Sequence, residues 1–456
     1  MGDLLISSTE DPASAKQRLL DVLGAWLSDA IPRHQSEPWH GVHDEGTFLT
    51  SWREYYLHTH DDRVKKLAFA LFDHAETWMT KHFVNGYYPL HEVHHGIEHF
   101  IIFLAWLYEL DPTYPGLAAR FQGAAQHLAK SNPKSHPWFD FQRNRFTSLY
   151  LGSKKTKPKL NLNIVEHFRF LRLACYGLAT SPVSSPLRAP LNQVLNSYTD
   201  EWTERILTSD LIPVYLDSGK ATETGFQKAL QSFIGAAPRE MTPITRSEIH
   251  IANGTPDFFM DRYVATQKRA YLDVVQKILA PLTDQLLSPY AHPVGDLLWR
   301  AHRLGLNLDI PSILDSCHNL YDQIVDQPLH VSLNLDVKWG TTGYKGTVGF
   351  RKDMPELVIT NSHEERVILP SPATWGLCYR ITKDPRYLQV GLSLALAVFQ
   401  AGQPLFKDDR EHGCGSRALH SICVGHGRNW GAGFVSTILR AALNDDCFAI
   451  SLPHSS

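Results

Sequence analysis

The chain has 456 residues, 43% hydrophobic and 20% charged, with 44 Lys plus Arg against 47 Asp plus Glu and a formal charge of −3. That composition supports a large globular core, and without a basic patch nucleic acid is excluded as the main partner. No apolar run reaches the length of a bilayer crossing. The opening Met1-Gly2-Asp3-Leu4-Leu5 leads into an acidic, amphipathic stretch unlike a signal peptide, so a cytoplasmic protein that does not engage membranes is expected.

In chain order, helix signals dominate up to about residue 325. Residues 13–30 are amphipathic and meet a stop at Ile31-Pro32. A helix over 46–59 follows Asp44-Glu45, whose charges suit a helix N-terminus, and 63–81 forms the next. The pattern recurs at 96–110 and 115–130, then at 161–180 and 186–207. Later pairs are 292–304 with 311–325 and 372–382 with 385–401. A last helix, 429–443, lacks a clear partner, which the N-terminal helix is available to supply. Two insertions interrupt the pairs. Residues 209–257 are mixed, with a short helix expected over 225–233. Residues 331–360 read as strands, with alternation over 331–337 and 344–350, and form a β-excursion over one face. The whole span 1–456 reads as one domain. Cys175, Cys317, Cys378, Cys414, Cys423 and Cys447 are scattered, with no framework spacing, and read as reduced thiols.

Three helix junctions look alike. They are Tyr56-Leu57-His58-Thr59-His60-Asp61-Asp62-Arg63, Leu107-Tyr108-Glu109-Leu110-Asp111-Pro112-Thr113-Tyr114, and Tyr379-Arg380-Ile381-Thr382-Lys383-Asp384-Pro385-Arg386-Tyr387-Leu388. Each joins an aromatic helix end to an Asp-led turn and a new helix, which points to a closed array of helical hairpins. With the alternation of apolar and amphipathic helices over residues 14–443, this resembles the six-hairpin (α/α)6-toroid superfamily of polysaccharide lyases, unsaturated-uronyl hydrolases and other glycosidases. The resemblance implies a mainly α toroid of about six inner and six outer helices, with a cleft built by the loops that enter the inner helices. It also implies a uronate-containing oligosaccharide as substrate class. It is a likeness of architecture, and fold alone does not carry function.

Chemistry-bearing residues collect in those entering loops. The densest run is His91-Glu92-Val93-His94-His95-Gly96-Ile97-Glu98-His99, just before the unbroken apolar segment 100–107. A helix that is apolar all round is buried, so its polar first turn opens into a cavity or strands buried polar groups. His40-Gly41-Val42-His43-Asp44-Glu45, His136-Pro137-Trp138-Phe139-Asp140, Asn253-Gly254-Thr255-Pro256-Asp257 and His426-Gly427-Arg428-Asn429-Trp430 repeat the same ingredients.

Metal-free acid/base work is the favoured reading. His95, Glu98, His91, His43, His426, Asp140 and Tyr88 or Tyr87 are the proton carriers. Arg428 and Asn429 hold a substrate carboxylate. Trp138, Trp375 and Trp430 stack on a sugar ring, and Glu45, Glu92, His99 and Asp257 complete the binding wall. A lyase removing a proton beside a carboxylate or carbonyl is the first expectation, on an oligosaccharide or a small oxygenated metabolite undergoing dehydration or cyclisation. Paired carboxylates among Glu45, Glu92, Glu98 and Asp140 leave glycoside hydrolysis open. The run also matches HExxH and HxxEH, so zinc at His91, His95 and His99 is the alternative to a cofactor-free site. Against zinc, Pro89 and Gly96 put these residues at a loop-to-helix junction, where HExxH belongs in mid-helix. A non-catalytic ligand-binding protein is the remaining reading.

Overall fold

The computed structural model describes residues 2–34, 46, 49–83, 86–87, 103–128, 139–146, 162–217, 241–289, 292–334, 356–403 and 433–443. Among them the chain is mainly helical, and no helix is long and apolar enough to cross a membrane. A short strand, β1 (Gly2–Leu5), precedes α1 (Pro12–His34). Then come α2 (Arg53–Thr59), α3 (Asp62–His82), α4 (Ala105–Leu110) and α5 (Leu117–Leu128). A hairpin of β2 (Phe139–Asp140) and β3 (Arg145–Phe146), then β4 (Leu162–Ile164), lead to α6 (Phe168–Thr180) and α7 (Arg188–Thr208). β5 (Tyr215–Asp217) and α8 (Pro243–Ala252) precede α9 (Thr255–Thr266) and α10 (Arg269–Leu279). Next are α11 (His292–Arg303), α12 (Pro311–Ile324) and the strands β6 (Pro328–Asn334), β7 (Glu356–Asn361) and β8 (Arg366–Val367). The described part ends with α13 (Pro372–Thr382), α14 (Pro385–Gly402) and α15 (Phe434–Ala441).

One turn recurs three times. Between α2 and α3, α9 and α10, and α13 and α14, the helix ends on His60, Gln267 or Lys383 in the left-handed region, at φ 51°, 58° and 60°. Each donates its backbone N–H to a tyrosine carbonyl four residues back, Tyr56, Tyr263 or Tyr379, at 2.7 Å. The next residue, Asp61, Lys268 or Asp384, gives its N–H to the hydroxyl of Thr59, Thr266 or Thr382. Asp61 and Asp384 then cap the new helix, accepting from the backbone of Arg63 and Arg386 at 3.0 Å. A turn this tight makes its two helices antiparallel. The junction at Asp111 is built differently, with the carboxylate accepting from the backbone and hydroxyl of Thr113.

Burial separates two kinds of helix. Residues 168–178 of α6 are buried throughout, as are nearly all of α13 and α15, whereas α3 and α12 bury one stripe and expose the other side. Phe103 to Leu107, entering α4, are wholly buried, as an all-apolar segment requires. The inner helices run parallel. Gly295 of α11 faces Ala373 near the start of α13, and Trp299 faces Arg380 and Lys383 toward its end. Likewise Phe168 of α6 meets Phe258 and Phe259 of α9. The two ends of the chain meet: α1 packs on α14, and α15 packs on α2, α13 and α14. Outside α14 lies an antiparallel sheet in the order β1-β6-β7-β8. This is why α14, alone among the outer helices, is buried all round.

Several elements depart from the sequence pattern. Pro32 does not stop α1; it lies in the last turn, where few intrahelical bonds remain to lose. Residues 162–164, expected to be helical, form β4 against β5, because Leu160-Asn161-Leu162-Asn163-Ile164 alternates with a period of two. α8 lies in the insertion, started by Thr242, whose hydroxyl accepts from the backbone of Thr245. Of the strand expected at 331–337, the described part, 331–334, lies in β6, and β1, too short to read in sequence, joins it. Among the described residues α15 packs on α2, α13 and α14 rather than on α1. The segments 225–233 and 344–350 lie outside the described residues.

A Cβ at Gly295 would sit 2.6 Å from the Ala373 carbonyl oxygen, a backbone atom that cannot swing aside. Gly295→Ala is expected to destabilise the protein by on the order of 1–3 kcal/mol, measured by urea unfolding; an unchanged midpoint would mean that α11 and α13 separate freely.

Candidate functional site

The helical hairpins have unlike ends. Inner helices pass to outer ones through short turns, three of them the tight turn described above. The returns from outer to inner helices are long, occupying residues 35–52, 83–104, 129–167, 209–254, 325–371 and 403–433. Only α10 to α11 returns compactly, through a 3-10 stretch (Ala280–Leu287). With the inner helices parallel, the long returns arrive at their N-terminal ends and the short turns lie at the other.

Within the helical ring lies a belt of buried charge. The Arg53 guanidinium grips Glu109 of α4 with two bonds, Nε to Oε2 at 2.9 Å and Nη2 to Oε1 at 2.6 Å, and donates to Glu54 at 3.1 Å. Glu54 also accepts from Arg440 of α15 at 2.9 and 3.1 Å. Arg440 reaches on to Asp296 of α11 at 2.8 Å, and Arg380 of α13 meets the other oxygen of Asp296 at 2.8 Å. A second knot joins Arg300 of α11 to Asp257 at 2.7 Å and to Asp261, both on α9. Arg172 of α6 lies near enough to Asp261 to stabilise its charge. Forked arginine–carboxylate contacts are the strong kind, and in a low dielectric each ion depends on its partner. Burial pulls the Arg53 guanidinium down, but Glu109 and Glu54 outweigh it and hold it above its ordinary value. At Asp261 burial prevails over Arg300 and Arg172, so its carboxyl is raised.

Three of the expected site residues are described. Asp257 is a member of the belt, paired with Arg300. Asp140 opens the β2–β3 hairpin, and its carboxylate is committed there: it accepts from the backbone of Gln142 at 2.9 Å and Arg143 at 3.2 Å, and from the Arg143 guanidinium at 3.3 Å. Trp375 has no exposed surface. It donates its indole N–H to the Pro370 carbonyl at 3.1 Å, a core position. Tyr87, the alternative to Tyr88 as proton donor, is also buried, with its hydroxyl given to the Ala124 carbonyl at 2.8 Å. His43, Glu45, Tyr88, His91, Glu92, His95, Glu98, His99, Trp138, His426, Arg428, Asn429 and Trp430 lie outside the described residues.

The belt was missed in sequence, although it leaves a signal. Arg440 stands in Phe434-Val435-Ser436-Thr437-Ile438-Leu439-Arg440-Ala441, and Arg172 in Phe168-Arg169-Phe170-Leu171-Arg172-Leu173-Ala174. An arginine inside a helix with no polar face is buried and needs a counter-ion. No protein-family model matches the chain, and no curated protein matches it.

Two outcomes follow from these buried groups. Arg440→Leu removes a guanidinium shared by Glu54 and Asp296, and should cost roughly 3–5 kcal/mol in denaturant unfolding; a loss under about 1 kcal/mol would show both carboxylates to be hydrated. His250 of α8 donates from Nε2 to the Pro213 carbonyl at 2.9 Å, while its buried Nδ1 has no partner among the described residues. Burial, outweighing that bond, pulls its pKa down to about 4. The unfolded chain therefore takes the proton first. Stability from neutral His250 is present above about pH 6.5 and falls away toward pH 4, by up to about 3 kcal/mol. A His250→Gln variant should lose this part of the pH slope, and a slope identical to the parent would exclude the assignment.

Proposed function

We propose that the chain is a toroid enzyme of helical hairpins, with seven inner helices (α2, α4, α6, α9, α11, α13 and α15) among the described residues where about six were expected, that works by acid/base chemistry in a cleft at the end where the long returns enter the inner helices. The first reaction class is elimination. A histidine or tyrosine among His95, His91, His43, His426 and Tyr88 removes a proton beside a carboxylate or carbonyl and returns one to the leaving oxygen. Arg428 and Asn429 hold the carboxylate and the enolate-like charge that develops. Glu98, three residues from His95, orients it or shares its proton. The substrate class is a uronate-containing oligosaccharide or a small oxygenated metabolite.

The observation that carries this reading is the parity of the helices. The His-rich segments before α2, α4 and α15 all belong to long returns, and long returns enter parallel inner helices at one common end. Residues spread from 43 to 430 belong to these returns in sequence, which supports a single shared rim. The contacts of α1 with α14 and of α15 with α2, helices far apart in sequence, also support the toroid.

The test is turnover and melting temperature read together on a panel of uronides. His95→Ala should lower turnover by roughly two orders of magnitude or more and leave the melting temperature unchanged, with Glu98→Gln losing less if it only orients the imidazole. Appearance of an ultraviolet-absorbing unsaturated product marks elimination, and its absence with new reducing ends marks hydrolysis. Lost stability with turnover per folded molecule preserved would overturn the proposal.

A further inference from the structure

The inner helix α9 begins without a side-chain cap. Gly254, the residue before its first turn, stands in the left-handed region at φ 68° and offers the helix end no side chain. The first intrahelical bond runs from the Phe258 N–H to the Gly254 carbonyl at 3.0 Å. The N–H groups of Thr255 and Asp257 come before it and have no carbonyl of their own helix to meet; Pro256 has no N–H. The Asp257 carboxylate, which suits a first turn, is taken by Arg300 at 2.7 Å.

Two side chains mark this helix end as a place for a ligand. Thr255 is fully buried, and its hydroxyl has no hydrogen-bond partner among the described residues. At the first helical position the Cα–Cβ bond tilts toward the helix N-terminus, so the hydroxyl projects at the open end. A bare buried hydroxyl carries a desolvation penalty, and native folds keep few without a role. Arg169, in the first turn of α6, is equally buried. It donates from Nε to Oδ1 of Asn253 at 3.0 Å, and the Asn253 amide is fixed in turn by its Nδ2 bond to the Ile249 carbonyl at 2.9 Å. A guanidinium is thus anchored to the residue next to Gly254, at the break between α8 and α9. The starts of α6 and α9 are neighbours, with Phe168 5.5 Å from Phe258 and 5.6 Å from Phe259. Both receive long returns, 129–167 and 209–254.

The chemistry of these groups selects the ligand. Backbone N–H groups and a guanidinium only donate, and the threonine hydroxyl can donate too. A helix N-terminus also carries roughly half a positive charge. A cation is repelled by such a set, and an oxyanion accepts from all of it. A carboxylate suits it better than a phosphate, because a second buried negative charge would lack a counter-ion. We infer that the N-terminus of α9, with Thr255 and Arg169, forms a binding subsite for a carboxylate group of the ligand. This rests on the proposed function and deepens it: the substrate is anionic, and its carboxylate has a seat on the helical frame, alongside Arg428 and Asn429 of the last return.

The experiment is calorimetric titration of the full chain with D-glucuronate and with D-glucose, on the parent, Thr255→Val and Arg169→Gln. Thr255→Val keeps the side-chain shape and removes the hydroxyl. Saturable binding of D-glucuronate to the parent is expected, about tenfold weaker in Thr255→Val, with D-glucose at least tenfold weaker than D-glucuronate. The melting temperature of ligand-free Thr255→Val should hold or rise, since a bare buried hydroxyl has gone. Arg169→Gln should weaken binding as well; because Arg169 also ties α6 to Asn253, Thr255→Val decides if that variant fails to fold. Equal affinity for D-glucuronate in the parent and Thr255→Val overturns the subsite. So does equal affinity for the two sugars, or no saturable binding of D-glucuronate to the parent. A lower melting temperature for ligand-free Thr255→Val also overturns it, since the hydroxyl would then serve the fold. His95→Ala keeps the two readings apart. If that variant turns uronides over normally while binding still depends on Thr255, the acid/base proposal falls and the subsite stands. If it loses turnover while Thr255→Val binds like the parent, the subsite falls and the acid/base proposal stands.

Discussion

A guanidinium inside a helical ring has to be met by carboxylates, and this requirement governs which helices can be neighbours here. Arg53 ties α2 to α4, Arg440 ties α15 to both α2 and α11, Arg380 ties α13 to α11, and Arg300 ties α11 to α9. Apolar packing would tolerate a helix rotated or slid by part of a turn. A forked ion pair would not, because a small shift leaves a buried charge without its partner. The belt thus specifies register as well as adjacency.

Packing at the helix contacts then follows the belt. Where α5 and α6 approach, a Cβ at Gly177 would run into that of Ala125, and where α14 meets α15, one at Gly391 would run into Ile438. Small residues let these helices close to contact distance, while the charged belt keeps them aligned. The short turns at one end lock each hairpin, and the other end is left to long segments. On the proposed function, scaffold and chemistry are separated along the helix axis, the usual arrangement where binding residues stand on loops held by a rigid frame.

Much of the frame was legible in the sequence because its signals are local. The bounds of α13 and the start of α14 follow from Pro372 and Pro385 at their first positions and from Thr382-Lys383-Asp384 between them. The third copy of that turn was overlooked because Lys268 stands where the others have Asp, although Tyr263 and Thr266 keep their places. The lookalike at Asp111 shares composition but not conformation, since its cap residue is extended at φ −158°. The belt was not legible for a different reason: Glu54 and Arg440 are 386 residues apart, and periodicity within one helix says nothing about a partner on another. Asp140 and Trp375 were singled out for residue type, while their hydrogen bonds, which only coordinates give, engage them in a turn and in the core.

The strand β1 lies directly on α14, so close that a Cβ at Gly2 would strike the Ala397 carbonyl, and α1 packs on the same helix. Both are made long before their support, residues 385–402. Until that helix is made, the face of α1 that it covers stays open, and Trp26 lacks the Phe399 ring it meets in the fold. Folding of this ring is therefore a late, long-range closure, slow by the measure of contact separation. That face of α1 needs shelter until the α14 segment has emerged.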